Sequence, residues 1–147
     1  MNGISNEDFP LGYQLAKLER AFVGNLDKGL AQYGLTSSRF GVLLFLSSEP
    51  GLTSAELARR AIVTPQTMIR IVAALEKLRF VERRPDSQDA RILSVRMTPL
   101  GRSRLKAANE WVEHVEEALV RGESHNSLSG VADFIRRATA RMEGLSS

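Results

Sequence analysis

The sequence predicts a mainly α-helical fold with a small β-hairpin, from three capping signals and one alternating segment. Thr53 with Glu56 three residues later fits a capping box that opens a helix. The pairs Thr64–Pro65 and Thr98–Pro99 each fit an N-cap followed by proline at the first helical position, where the missing N–H costs nothing. Between these two pairs, residues 81–97 have the pattern of a strand, a polar tip and an alternating strand.

The composition is typical of one globular domain, expected over residues 1–147. Cysteine is absent and only two histidines occur, His114 and His125, so neither a metal site nor a cofactor is predicted. Residues 1–10 lack the apolar run of a signal peptide, and no segment approaches the roughly 20 apolar residues of a membrane span. We therefore expect a cytoplasmic protein.

The N-terminal third of the chain predicts two helices. Leucines and aromatic residues recur every three or four positions between Leu11 and Tyr33, which indicates one long helix from Pro10 to about Tyr33 that ends at Gly34. Thr36 can cap a second helix over residues 37–48. Because five consecutive apolar residues lie within it, at positions 42–46, this second helix is expected to be buried on nearly every side.

The middle of the chain predicts the pair of helices that the first two capping signals open. The third helix is short, over residues 54–61, and the fourth runs over residues 65–79. Met68, Val72 and Leu75 lie at core spacing on the fourth helix. Its opposite face carries small and polar residues, which suit close approach to another surface.

The C-terminal part predicts two further helices, over residues 99–120 and 131–142, joined by a polar connection at 122–130. The apolar stripes of the first, fifth and last helices need a partner surface, and pairing with a second copy supplies one. We therefore expect a homodimer. Its dimerisation helices would lie at residues 10–34 and 99–145, flanking a core at residues 36–98.

Helix, short connection, helix and basic hairpin together form the outline of a winged helix-turn-helix, a fold that commonly reads duplex DNA. The charge distribution agrees, since residues 53–104 hold eleven Lys and Arg against five Asp and Glu, whereas the net charge of the whole chain is +3. The alternative is a winged domain that contacts proteins without binding DNA. Salt-sensitive binding to duplexes would separate the two.

The predicted DNA-binding residues form two groups. The first lies at the start of the fourth helix, which would enter the major groove, and comprises Thr64, Pro65, Gln66, Thr67 and Arg70. The second lies in the hairpin and comprises Arg83, Arg84, Asp89 and Arg91. The arginines can follow phosphates or enter a narrow minor groove, and Asp89 can orient Arg91. For each residue, the alternative is an ordinary capping or solvated side chain.

A catalytic role is not predicted. Neither histidine has neighbours that suggest a nucleophile–base pair, and no glycine-rich phosphate loop follows a strand. Glutamates near His114 are better explained as a solvated helix face than as a metal site.

The segments 52–58, 64–68 and 81–85, with Asp89-Ala90-Arg91 and Met97-Thr98-Pro99-Leu100-Gly101, make the chain resemble the multiple antibiotic resistance regulator (MarR) family of bacterial transcription factors. The resemblance implies a homodimeric regulator of palindromic operators, here expected to be a repressor. It also implies that the fourth helix reads the major groove and that Arg91 enters the minor groove with Asp89 as its partner.

Two features depart from the family pattern. Arg79 and Phe80 stand where glycine and an aliphatic residue are usual, and Ala73 and Ala74 replace polar residues. The resemblance further implies a small aromatic effector bound between the dimerisation helices and the winged region. The aromatic residues available for such a pocket are Tyr13, Phe22, Phe40, Phe45 and Trp111. For each of them, the alternative is core packing.

Overall fold

A computed structural model describes residues 9–145, so the predicted absence of a signal peptide over residues 1–8 lies outside the described part. The described part divides into two compact units, with the boundary between Val115 and Glu116. The helices of the described part are α1 (Leu11–Leu30), α2 (Ser37–Ser48), α3 (Ser54–Ala61), α4 (Pro65–Lys77), α5 (Pro99–Val120) and α6 (His125–Leu145). The strands are β1 (Leu52–Thr53), β2 (Val81–Pro85) and β3 (Leu93–Met97). Among the described helices, none combines the length and apolar content that crossing a bilayer requires.

The end of α1 joins the core, whereas its beginning does not. Leu26 and Leu30 are buried, but Leu11, Leu15 and Leu18 are exposed. The helix stops at Leu30 and continues as a 3₁₀ turn over Ala31–Tyr33, three residues short of the predicted end. Gly34 then adopts a left-handed φ of 73° that reverses the chain.

Capping side chains start α2, α3 and α4 where the sequence predicts. Thr36 accepts a hydrogen bond from Arg39 N–H in front of α2. The capping box of α3 is complete, and the hydrogen bonds that Thr53 donates through its backbone N–H and its hydroxyl lower the pKa of the Glu56 carboxyl. Thr64 accepts from Thr67 N–H at 3.1 Å in front of α4. These predictions from local sequence are confirmed.

The turn between α4 and β2 shows the consequence of one departure from the family pattern. Helix α4 ends at Lys77, two residues before the predicted end, and Arg79 takes a left-handed φ of 61°. Glycine adopts this conformation without the strain of a Cβ atom, so arginine here carries a conformational cost. Phe80 turns into the core beside it and is buried.

The hairpin belongs to a three-stranded antiparallel sheet in the order β1-β3-β2. Arg83 lies opposite Val95 in the β2–β3 register, and Leu52 lies opposite Val95 on the other side. The sequence predicted only the two strands of the hairpin. Strand β1 was missed because its two residues carry no alternating pattern and depend on a partner more than forty positions away.

Two close contacts set the position of α5. Thr98 accepts a hydrogen bond from Gly101 N–H at 3.0 Å, and Gly101 packs directly against the Phe80 carbonyl group. Further along, the Trp111 ring covers Gly29 of α1 and donates a hydrogen bond from Nε1 to the Asn25 carbonyl oxygen at 3.1 Å. Glycine at both contacts lets the neighbouring groups approach.

Helix α6 begins at His125, so the predicted polar connection at residues 122–130 is wrong over most of its length. Ser124 accepts a hydrogen bond from Ser127 N–H at 3.1 Å, which starts the helix earlier than its apolar stripe does. Four apolar side chains of α6 are exposed, namely Val131, Ile135, Met142 and Leu145.

Replacing Gly101 with alanine is expected to destabilise the fold by about 1–3 kcal/mol, as overpacking does in other cores. The added Cβ would overlap the Phe80 carbonyl oxygen and lie 2.8 Å from Met97 Cγ. The matched control is Gly41→Ala in α2, where no heavy atom lies within 4 Å of the added group. There we expect a gain of up to about 1 kcal/mol from helix propensity. Urea denaturation measures both, and equal effects would contradict the close contact.

Candidate nucleic-acid interface

The first turn of α4 presents polar side chains to solvent. Thr64, Pro65, Gln66, Thr67 and Arg70 are all exposed. The Thr64 and Thr67 hydroxyls lie 2.8 Å apart, so the capping threonine is already engaged within the turn. Within the described residues, Gln66 and Arg70 have no hydrogen bond or ion pair. Both therefore keep their donors available for a partner outside the chain.

The arrangement of α4 follows from its buried stripe. Met68, Val72 and Leu75 are fully buried. Because side chains three or four positions apart share a helix face, burial of this stripe directs Gln66 and Arg70 to the opposite side. The start of the helix also carries the partial positive charge of the helix dipole, although Thr67 N–H already donates to the Thr64 hydroxyl.

The hairpin tip is ordered by its own polar groups. Asp86 Oδ1 accepts hydrogen bonds from Gln88 N–H at 2.8 Å and from Asp89 N–H at 3.3 Å. Asp86 N–H donates to the Ile92 carbonyl oxygen at 2.8 Å, which closes the base of the tip. The tip is thus a structured turn that can hold a side chain in one direction.

Arg91 is held at that tip by a bidentate ion pair with Asp89. Arg91 Nε donates to Asp89 Oδ1 at 3.0 Å and Nη2 donates to Oδ2 at 2.9 Å, while the Arg91 backbone N–H also donates to Oδ1. The Arg91 side chain and backbone N–H lower the pKa of Asp89, and Asp89 raises the pKa of Arg91. The Arg91 side chain is nevertheless 89% exposed. The pair therefore orients a fully charged guanidinium that remains accessible.

The other two predicted hairpin arginines have different surroundings. Arg83 Nε lies 3.3 Å from Glu76 Oε2 of α4, and its side chain is 31% exposed. This contact is ionic only, since Arg83 Nε lacks a well-aligned hydrogen-bond acceptor. Arg84 pairs with Glu82 at 2.6 Å. Arg83 thus ties the hairpin to α4, and both arginines are partly neutralised by neighbouring carboxylates.

A crevice of about 700 Å³ lies between α2, the sheet and α5. Apolar side chains contribute to its lining, among them Leu44, Leu46, Met97 and Leu105. Its charged lining consists of Glu82, Arg84, Arg96, Arg102 and Lys106. Glu82 is paired with Arg84, and Arg102 donates to the Met97 carbonyl oxygen. Within the described residues, Arg96 and Lys106 have no ion pair.

The five aromatic residues predicted for an effector pocket are not gathered in this crevice. Phe40 is a buried core residue and Phe22 packs against the core. Phe45 lines a smaller cleft beside α3, and Tyr13 stacks on Phe9 with ring centroids 4.6 Å apart. Trp111 covers Gly29. Their role in effector binding stays a prediction.

Sequence reasoning did not identify several residues that the structure brings to these sites. Glu76 was not recognised as the partner of Arg83, and Asp86 was not recognised as the organiser of the tip. The aspartate at the start of a turn was a usable signal for the second. The basic lining of the crevice had no local signal, because Arg84, Arg96 and Lys106 come from separate elements. Within the described part, no cluster of three or more His, Asp or Glu is arranged to hold a metal.

Comparison with known proteins agrees with this geometry. The model of the MarR family matches residues 33–92. An HTH-type transcriptional repressor of Mycobacterium tuberculosis is 39% identical over 106 residues, which cover 72% of this chain and 76% of the repressor. The structure of the S. aureus MepR–DNA complex superposes with a TM-score of 0.85 at 21% identity, covering 94% of this chain and 99% of that one. CouR from Rhodococcus jostii, solved with p-coumaroyl-CoA, gives a TM-score of 0.79 at 21% identity, covering 86% and 89%.

The repressor relative is similar enough in sequence to assign the family, and the solved structures share the fold. These findings do not favour a winged module that contacts proteins without binding DNA. The chain belongs to the MarR family of DNA-binding transcription regulators.

Proposed function

We propose that this chain is a ligand-responsive repressor that binds a palindromic operator as a homodimer in the cytoplasm. The observation that carries the proposal is the ion pair between Arg91 and Asp89, which orients the charged Arg91 guanidinium at the exposed tip of the hairpin. A guanidinium presented this way suits a narrow minor groove. Gln66 and Arg70 would read base edges in the adjacent major groove. The proposal includes no catalytic step.

The homodimer part of the proposal is supported by unpartnered apolar side chains. Leu11, Leu15 and Leu18 of α1 are exposed, and so are Ile135 and Met142 of α6. Each copy would bury these side chains against the other, as a two-fold interface does. Two copies would present two α4 helices to half-sites about one helical turn apart, which is the reason for expecting a palindrome.

The effector part of the proposal is supported by the crevice between α2, the sheet and α5. Its volume of about 700 Å³ is within the range of small-molecule sites. Arg96 and Lys106 supply uncompensated positive charge above apolar side chains, so an aromatic molecule with a carboxylate would fit. The CouR ligand, p-coumaroyl-CoA, is likewise an anion with an aromatic group.

Replacing Arg91 with alanine is expected to weaken operator binding about tenfold or more, equivalent to about 1.4 kcal/mol. The fold should not change, because the side chain is 89% exposed. Arg104→Ala removes the same charge from an exposed position on α5 and serves as the control. Fluorescence anisotropy with an operator selected from random duplexes measures the affinities. Equal affinities for Arg91→Ala and wild type would refute the role of the hairpin tip.

Replacing Arg96 and Lys106 together with alanine is expected to remove the preference of the effector site for anions. With the wild-type protein, aromatic carboxylates should release the operator at lower concentrations than their uncharged methyl esters. With the double variant Arg96→Ala and Lys106→Ala, the acid and the ester of each pair should act alike. A titration of the protein–operator complex with such pairs gives the comparison. Esters that act as strongly as acids on the wild type would contradict an anion site in the crevice.

A further inference from the structure

One exposed side chain of α4 is not explained by packing. Ile69 is 51% exposed, whereas its neighbours Met68, Val72 and Leu75 are fully buried. Isoleucine is also a poorer helix former than the alanine or lysine residues that usually occupy exposed helix positions, because its branched side chain loses rotamer freedom. Neither core packing nor helix propensity therefore accounts for isoleucine at this position.

The location of Ile69 continues the surface proposed to face DNA. It follows Gln66 by three residues and precedes Ala73 by four, so the three side chains lie on one face with Cβ atoms roughly 5–6 Å apart. Gln66, Arg70 and Ala73 are all exposed. Because alanine is small, Ile69 projects further than Ala73 along this face. It is thus an apolar group beside the polar side chain of Gln66, at the edge of the exposed face of α4.

The major groove offers one apolar group to such a side chain, the C5-methyl group of thymine. Opposite any polar base atom, the isoleucine would exclude water without replacing the lost hydrogen bond, which is unfavourable. Gln66 is suited to adenine N6 and N7, and the partner of adenine is thymine. The two neighbouring side chains are therefore compatible with the same or adjacent A·T pairs.

We propose that Ile69 is a specificity-determining residue that contacts a thymine methyl group in the major groove of each operator half-site. This inference rests on the proposed function, since it needs α4 to enter the groove. A second copy of the chain or another protein covering Ile69 is the competing explanation, and the test below separates them.

The test replaces the thymines of a selected operator one at a time with deoxyuridine, which removes only the methyl group. We expect one position in each half-site at which this change lowers wild-type affinity about three- to tenfold. With Ile69→Ala, the same replacement should have no further effect, because the contact is already absent. The double change should thus cost no more than either single change. Arg91→Ala is the matched control and should keep the full sensitivity to deoxyuridine.

Binding to random duplex and the melting temperature should be unchanged in Ile69→Ala, since the side chain contributes no charge and is half exposed. If the protein binds the operator but the affinity losses from Ile69→Ala and from deoxyuridine add at every thymine position, the role of Ile69 is overturned. The proposed function is unaffected by that result. An Ile69→Ala protein that changes oligomeric state by light scattering would support the competing explanation instead. A wild-type protein that binds no duplex, even at low salt, would overturn the proposed function together with this inference.

Discussion

Burial of one face of α4 is the constraint on which the rest of the site depends. Met68, Val72 and Leu75 are fully buried, and exposing each of them would cost about 1.5–3 kcal/mol. The helix cannot rotate about its axis without exposing them. Gln66 and Arg70 are consequently held on the outside, so the position of the face proposed to read DNA follows from core packing.

The hairpin reaches its position through a second set of contacts anchored to the same helix. Arg83 of β2 is paired with Glu76 of α4, and Phe80 is buried in the connection between them. A pair that is about one-third exposed adds little stability by itself. Its value is geometric, because it limits how far the hairpin can swing relative to α4. The spacing between the first turn of α4 and the hairpin tip, which are the two groups proposed to contact DNA, is thus set within one protomer.

Signals between neighbouring residues predicted most of the helices and strands, whereas contacts between residues far apart in the chain could not be predicted from the sequence. The cap residues Thr36, Thr53 and Thr64 act within four positions, so their helix starts were predictable. Strand β1 and the Glu76–Arg83 pair depend on residues brought together by folding. The Asp89–Arg91 pair was predictable because both residues lie in one turn. The predicted aromatic pocket residues are shared between core, cleft and surface, since periodicity does not distinguish a core face from a crevice wall.

The crevice and the hairpin tip are connected through the strands themselves. Glu82 lies opposite Arg96 in the β2–β3 register but is paired with Arg84, so Arg96 stands at the crevice wall without an ion-pair partner among the described residues. An anion entering the crevice would bind Arg96 and compete with Glu82 for Arg84. Strands β2 and β3 end at the turn that holds Arg91, so a change in their pairing alters the position of that guanidinium. A ligand would in this way weaken the proposed minor-groove contact of Arg91 without touching α4, because α4 is held by its buried face.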